Sequence, residues 1–269
     1  MKITKMHGIG NDYFYFFEEV PANVGELAAL LCDRNTAIGS DGLIYICHSD
    51  TADYRMRIFN ADGSEAKMCG NGIRCVGKYL YDKGITSKTE LDIQTESGIR
   101  NLILHIGDGS VQSVSVNMGR VVVSDAIDLK INQETIRLMP VDVGNPHAVI
   151  FTDEEGLCGP EKTGRLIEYH EMFPDGVNAE YVQMKADNVL RMRVWERGSG
   201  VTKACGTGAC ASAAAAVHAG LCDPKKPVTL ILDGGALEFE IDENECFWMK
   251  GPAEFAFEGE IFTAGGICL

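Results

Sequence analysis

No stretch of this sequence approaches the roughly eighteen consecutive apolar residues of a membrane-spanning helix, although 45% of its residues are hydrophobic. Its first residues, MKITKMHGIGND, lack the apolar core of a signal peptide. These absences predict a soluble, cytoplasmic chain with no membrane partner. Clusters of lysine and arginine are missing as well, and the formal charge at pH 7 is −15. Nucleic acid and anionic lipid surfaces reward concentrated positive charge, so no nucleic-acid partner is expected. Phosphate-cradling loops of the GxxxxGKS or GxGxxG type are absent too, and GIGND at residues 8–12 fits neither spacing. No CxxC pair stands ready to chelate zinc: Cys69 and Cys75 are six apart, Cys205 and Cys210 five, and no histidine pair lies nearby. No metal site is expected.

What the sequence does hold is cysteine. Ten are spread over 269 residues, at 32, 47, 69, 75, 158, 205, 210, 222, 246 and 268. In a chain expected to stay in a reducing compartment they read as thiols, either small buried groups or reactive ones. Cys32, Cys47, Cys158, Cys222, Cys246 and Cys268 read as buried spacers, and Cys75 and Cys210 as packing residues inside helices. The length allows one large domain or two modest ones, each with a sizeable core.

An internal repeat decides between these. Tyr54-Arg55-Met56-Arg57-Ile58-Phe59-Asn60 is echoed by Leu190-Arg191-Met192-Arg193-Val194-Trp195-Glu196, and Cys69-Gly70-Asn71-Gly72 by Cys205-Gly206-Thr207-Gly208. Both echoes share an offset of 136 residues, which also carries Lys67 to Lys203 and Gly84 to Gly220. Each unit reads as an alternating strand, a glycine-bearing loop, then CGxG opening a helix. Ile73, Val76 and Leu80 fall at helical spacing, with Gly84 as the stop; the second helix is alanine-rich from Ala209 to Ala219 and stops at Gly220. A helix so small and apolar on all sides should be buried. Further strands are predicted at residues 91–95, 111–116, 228–232 and 236–241. The reading is therefore an α+β protein of two similar halves, divided near Val116-Asn117-Met118-Gly119 without a Pro/Ser-rich linker.

A cysteine at a helix N-terminus sits beside unpaired backbone N–H groups and at the positive end of the macrodipole, both of which favour thiolate. Glycines on either side leave those amides open to a carboxylate. Two such sites in duplicated halves could put a thiol on each face of one substrate. Inversion of a stereocentre by proton transfer needs that arrangement: one group removes the α-proton and another reprotonates the opposite face. Amides from two helix ends would stabilise the charge that develops on the carboxylate, so no pyridoxal phosphate or other cofactor is expected. A different class of reading remains open from these residues: a non-catalytic thiol redox or metal-binding protein, its paired cysteines closing a disulfide.

The blocks KMHGIGND (5–12), FNADGSEAKMCGNGIRC (59–75), GNPHAV (144–149), VNAEYV (177–182) and WERGSGVTKACGTGACA (195–211) resemble the signature blocks of the diaminopimelate epimerase family, in the family's order. The resemblance implies two pseudo-twofold-related domains, each a strongly curved, mainly antiparallel sheet around a central helix, with the active site in the cleft between them, and a homodimer. It implies domains at 1–116 plus 255–269 and at 117–254. It further implies interconversion of LL- and meso-2,6-diaminopimelate, for lysine and peptidoglycan precursors, with Cys69 and Cys205 as the two acid/base groups. A racemase or isomerase of the same fold acting on proline, histidine or an unsaturated dicarboxylate is the runner-up.

Matching positions assign substrate contacts to Asn11, Asn60, Gly70, Asn71, Asn145, Asn178, Glu196, Arg197, Gly206 and Thr207, and proton tuning of the thiols to His147 and Glu196. A long dipolar substrate calls for such a planar cationic fork and several amides. Each asparagine could equally mark a turn, as Asn60-Ala-Asp-Gly and Gly-Asn145-Pro do, and His147 could be a structural histidine. Arg55, Arg57, Arg191 and Arg193 sit in the strand repeats and read as structural. Departures from the family are Gly42, where many relatives carry a substrate-contacting glutamine, Thr207, where some have serine, and Val201, where glutamate is common. Phe257 matches an aromatic position near the family's dimer contact.

Overall fold

A computed structural model describes residues 1–132 and 134–261. The chain divides into two compact units, residues 1–116 with 251–261, and residues 117–250. The first contains β1 (Lys2–Gly8), β2 (Asn11–Phe16), α1 (Val24–Cys32), β3 (Gly42–Cys47), β4 (Tyr54–Asn60), β5 (Glu65–Ala66), α2 (Gly70–Asp82), β6 (Glu90–Thr95), β7 (Gly98–Gly107) and the front of β8 (Ser110–Arg120). The second continues through β9 (Val122–Val123), β10 (Ile127–Ile131), β11 (Glu134–Asp142), β12 (Pro146–Phe151), the four-residue α3 (Arg165–Glu168), β13 (Asn178–Ala186), β14 (Val189–Glu196), β15 (Gly200–Thr202), α4 (Gly206–His218), β16 (Val228–Leu232), β17 (Gly235–Ile241) and β18 (Cys246–Gly251). Finally β19 (Glu254–Glu260) returns to pair antiparallel with β1.

The two units share one pairing plan. In the first, β1–β2 is antiparallel, β2–β3 parallel and β3–β4 antiparallel; β4 then takes β5 antiparallel and β6 parallel. In the second, β11–β12, β12–β13 and β13–β14 repeat those three senses, and β14 takes β15 antiparallel and β16 parallel. The repeat read from the sequence is thus a repeat of topology, and the class is α+β.

The boundary falls inside strand β8, at Val116/Asn117, which is why no linker composition announces it. The return comes at Gly251, four residues ahead of the expected position 255. Pro252 already belongs to the first unit, its carbonyl accepting from Arg74 Nε at 3.1 Å. The expected range from 262 onward, with Cys268, lies outside the described residues.

In each unit the long helix is largely buried, and a further core cluster lies elsewhere, mainly on the strands. Ile73, Val76 and Leu80 of α2 are fully buried, each worth roughly 1.5–3 kcal/mol relative to exposure. Helix α4 buries every residue from Gly208 to Ala216, as a helix that is small all round must. Both helices end in the same way. Gly84 and Gly220 adopt φ of +70°, their N–H groups donate to Tyr81 and Val217, and the next N–H reaches back to Leu80 and Ala216. Only a residue without Cβ takes that left-handed position at no cost, so the glycine stops were legible in the sequence.

The spacer cysteines divide. Cys32, Cys47 and Cys222 are buried, as are Cys75 and Cys210 inside the helices. Cys158 is exposed and Cys246 half-buried, contrary to expectation. Cys158 closes a short surface turn over Glu155–Cys158, none of whose residues is buried. No helix of the described residues is long and apolar enough to cross a membrane.

Candidate active site

Cys69 and Cys205 are the N-cap residues of α2 and α4. Both have extended backbone, φ −138° and −121°, and each Sγ accepts the N–H three residues on, Gly72 or Gly208, at 3.3 Å. A sulfur in the capping position takes up one of the orphan donors of the first turn.

Around Cys69 stand amides and a phenol that hydrogen-bond, with Arg74, Cys75 and Tyr15 also within electrostatic reach. The thiol donates to Asn11 Oδ1 at 3.3 Å, and Asn71 Nδ2 approaches the same oxygen at 3.4 Å. Asn71 is buried and accepts from Arg74 Nη1 at 3.1 Å. The Tyr13 hydroxyl lies beside Cys69 and Asn11; burial pushes that phenol well up, and the neighbouring sulfur adds to the rise. Asn60, at the end of β4, donates to Ser64 Oγ at 3.1 Å, so it does serve its turn. Gly42 is required by the backbone: a Cβ there would stand 2.2 Å from the Phe59 carbonyl oxygen and 3.0 Å from the Tyr13 ring. A glutamine cannot enter unless β3 moves.

Around Cys205 the groups are ionisable. Glu196, from β14, lies beside the thiol and accepts a short hydrogen bond from Thr202. Burial raises its carboxyl above the usual range, opposed by the hydrogen bonds from Thr202 and Cys205. His147 Nδ1 and Glu180 Oε1 are 2.7 Å apart, both side chains fully buried, and His147 Nε2 meets Asn145 Oδ1 at 3.1 Å. Glu180 reaches the start of α4 because residue 208 is glycine: a Cβ there would be 2.6 Å from Glu180 Oε1.

The thiolate expected at both helix ends is not favoured at Cys205. Burial pushes this thiol well above its ordinary range, and the Glu196 and Glu180 charges push it the same way. The Gly208 N–H and the Thr207 hydroxyl, 3.5 Å from Sγ, act in the opposite direction and lose. Desolvation of a charge outweighs half a unit of macrodipole charge when carboxylates stand beside it.

The remaining site residues cluster at one turn of the second unit. Asn178 Oδ1 accepts the Arg197 N–H at 3.0 Å, and its Nδ2 donates to the Pro146 carbonyl at 3.1 Å. Arg197 is exposed, with Nη1 donating to the Asp175 carbonyl at 2.9 Å. Glu168, buried, holds this turn by accepting from Trp195 Nε1 at 2.7 Å and the Gly198 N–H at 2.8 Å. Arg55, Arg57, Arg191 and Arg193 pair with Glu96, Glu65, Asp233 and Glu161 at the strand surfaces, as structural residues do. Glu180, Glu168, Asp41, Thr202 and Tyr13 were not found from the sequence. Only Glu180 had a signal, a charge in the buried front half of its strand.

A family model for diaminopimelate epimerase matches residues 3–124 and 139–256. The diaminopimelate epimerase of Acetivibrio thermocellus is 45% identical over 277 residues, covering 97% of this chain and 98% of the relative. That of Bacteroides thetaiotaomicron is 47% identical over 264 residues, covering 97% and 98%. Among solved structures, a hydroxyproline epimerase from Agrobacterium vitis superposes with a TM-score of 0.74 at 17% identity, covering 96% of this chain and 91% of the other. A phenazine biosynthesis protein of Bacillus anthracis does so with a TM-score of 0.76 at 15% identity, covering 98% and 99%. These two likenesses are of fold.

Proposed function

The chain belongs to the diaminopimelate epimerase family, and from that premise we propose that it interconverts LL- and meso-2,6-diaminopimelate by proton transfer between two thiols, without a cofactor. The reaction serves lysine and peptidoglycan precursor synthesis in the cytoplasm. One observation carries this reading: two cysteines at equivalent positions of duplicated units, each capping the N-terminus of its unit's long helix through Sγ.

In the proposed reaction one cysteine, as thiolate, takes the α-proton, and the other, as thiol, delivers its proton to the opposite face. The protein ends with thiol and thiolate exchanged. Charge developing on the α-carboxylate is met by the amides of Gly70-Asn71 and Gly206-Thr207 at the positive helix ends. Glu196 and His147 set the protonation of Cys205 through the field of the buried groups around it. Asn11, Asn60, Asn145, Asn178 and Arg197 bind the distal ammonium and carboxylate, the guanidinium offering a two-pronged donor. Gly42 contributes no side chain, and the Tyr13 ring packs over it with its hydroxyl beside Asn11.

The test is incubation with meso-diaminopimelate in heavy water, using metal-chelated protein without added pyridoxal phosphate. Deuterium should enter the α-carbon as the LL isomer appears, and Cys69→Ala and Cys205→Ala should each abolish interconversion. Turnover of proline or histidine with no deuterium in diaminopimelate would transfer the reading to another substrate. A homodimer is part of the same proposal, with the exposed Phe257 of β19 at its contact. Sedimentation of the wild type and of Phe257→Asp, as dimer and monomer respectively, tests it.

A further inference from the structure

The carboxylate of Asp41 lies outside every role assigned above, yet it holds Asn11, whose side chain accepts from the Cys69 thiol. Asn11 Nδ2 donates to Asp41 Oδ2 at 2.7 Å, and the Asp12 N–H donates to the same oxygen at 3.0 Å. Asp41 Oδ1 takes Arg34 Nη2 at 2.9 Å, and Arg34 also pairs with Asp12, which Lys5 holds from the other side at 2.7 Å. The Asp41 N–H in turn donates to the Asp12 carbonyl at 2.8 Å. Asp41 therefore has no freedom to rotate without breaking several charge-assisted bonds.

An amide has one donor end and one acceptor end, so fixing one fixes the other. With Nδ2 committed to a carboxylate, Asn11 must present Oδ1 to Cys69, and it does so at 3.3 Å. An amide oxygen accepts from S–H but repels a thiolate; the reversed amide would donate to a thiolate and stabilise it. We infer that Asp41 is a positioning residue that locks Asn11 with its oxygen toward Cys69 and so keeps the proton on Cys69 until substrate arrives. This rests on the reading of Cys69 as an acid/base thiol.

Ionisable groups that act on or feel Cys69 include the Tyr13 and Tyr15 phenols from β2 and, on its own helix, Arg74 and Cys75. The hydrogen bonds to the Asp41 carboxylate come from Asn11, Asp12 and Arg34. Asp41 does carry a charge, so its removal could also act directly on the sulfur. The test separates the two routes by removing Asn11.

The full chain is alkylated with iodoacetamide at pH 7 and the Cys69 peptide is followed by mass spectrometry, so that the other cysteines do not contribute. Asp41→Ala should speed alkylation of Cys69 about tenfold, the equivalent of one pH unit in thiolate fraction. Asp41→Asn, which keeps the shape, is the second arm should the first variant not fold. In an Asn11→Ala background the same changes should alter the rate by less than about twofold. An unchanged or slower rate in the folded Asp41 variants overturns the proposal, as does an equal acceleration without Asn11. Failure of the underlying reading would show elsewhere, as interconversion of the LL and meso isomers persisting in Cys69→Ala.

Discussion

Cys69 and Cys205 share a backbone and differ in what surrounds it. Register makes the comparison residue by residue. In the first unit Tyr13 pairs with Gly42 and Tyr15 with Ile44; in the second His147 pairs with Asn178 and Val149 with Glu180. His147 thus stands where Tyr13 stands, Asn178 where Gly42 does, and Glu180 where Ile44 does. One strand over, Glu196 takes the place of Asn60. Neutral groups that pack or hydrogen-bond in one unit have become an imidazole and two carboxylates in the other; His147 and Glu180 are fully buried, and both carboxylates act on one thiol. A buried charge is expensive unless paired, so its presence at one copy of a duplicated position marks specialisation. The helix end supplies the same partial charge to both sulfurs; side chains set the chemistry of each.

The largest effect should come from reversing that difference. Glu180→Ile, which makes the second unit resemble the first, leaves His147 buried with its Nδ1 partner gone. It should lower stability by about 3–5 kcal/mol in urea unfolding, the usual result of breaking a buried pair. Ile44→Val at the equivalent position should cost only about 0.5–1.5 kcal/mol. Equal losses would mean the two positions are alike and the carboxylate is incidental.

A smaller effect is expected from alanine at the two equivalent glycines. A Cβ at Gly72 meets the tip of Ile44 at 2.6 Å, and one at Gly208 meets Glu180 Oε1 at the same distance. The aliphatic tip can rotate away, and the gain in helix propensity of about 1 kcal/mol offsets the strain, so Gly72→Ala should be near neutral. Gly208→Ala must displace a buried carboxylate tied to His147 and should cost about 1–3 kcal/mol. Thermal unfolding of the two variants side by side measures this, and a reversed order would break the comparison.

The smallest effect concerns pH. Because the Cys205 thiol is raised in the folded protein, its contribution to stability is complete below the unfolded thiol value, about 8.5. It is lost as pH rises from there toward the folded value, since the unfolded chain then releases a proton the native state keeps. Tm should therefore fall more steeply above pH 9 in the wild type than in Cys205→Ala. Parallel curves would show that the thiol is not raised.

Much of this was legible before the structure. The offset that joins Cys69 to Cys205 also joins the helix-stopping glycines, because both are local requirements: an N-cap and a left-handed C-terminal turn. Asn60 opposite Glu196 was likewise visible as an asymmetry. The grip of Glu180 on His147, 33 residues away, and of Asp41 on Asn11, 30 residues away, was not. Both cross a parallel strand pair or its flank, where neighbours are fixed by register and not by sequence spacing. Cys158 misled for the converse reason. Its residue type favours burial, but the surface turn that carries it does not.

The sequence by itself determined the duplication, the α+β class, the two capping cysteines and the family to which the chain belongs. These follow from periodicity, glycine placement and motif order, which need no partner from afar. Only the tertiary structure decided that one helix-end thiol is held protonated by burial and two carboxylates, and which side chains anchor the residues beside each sulfur. Desolvation and charge depend on what the fold brings within a few ångströms, and a one-dimensional offset does not carry that information.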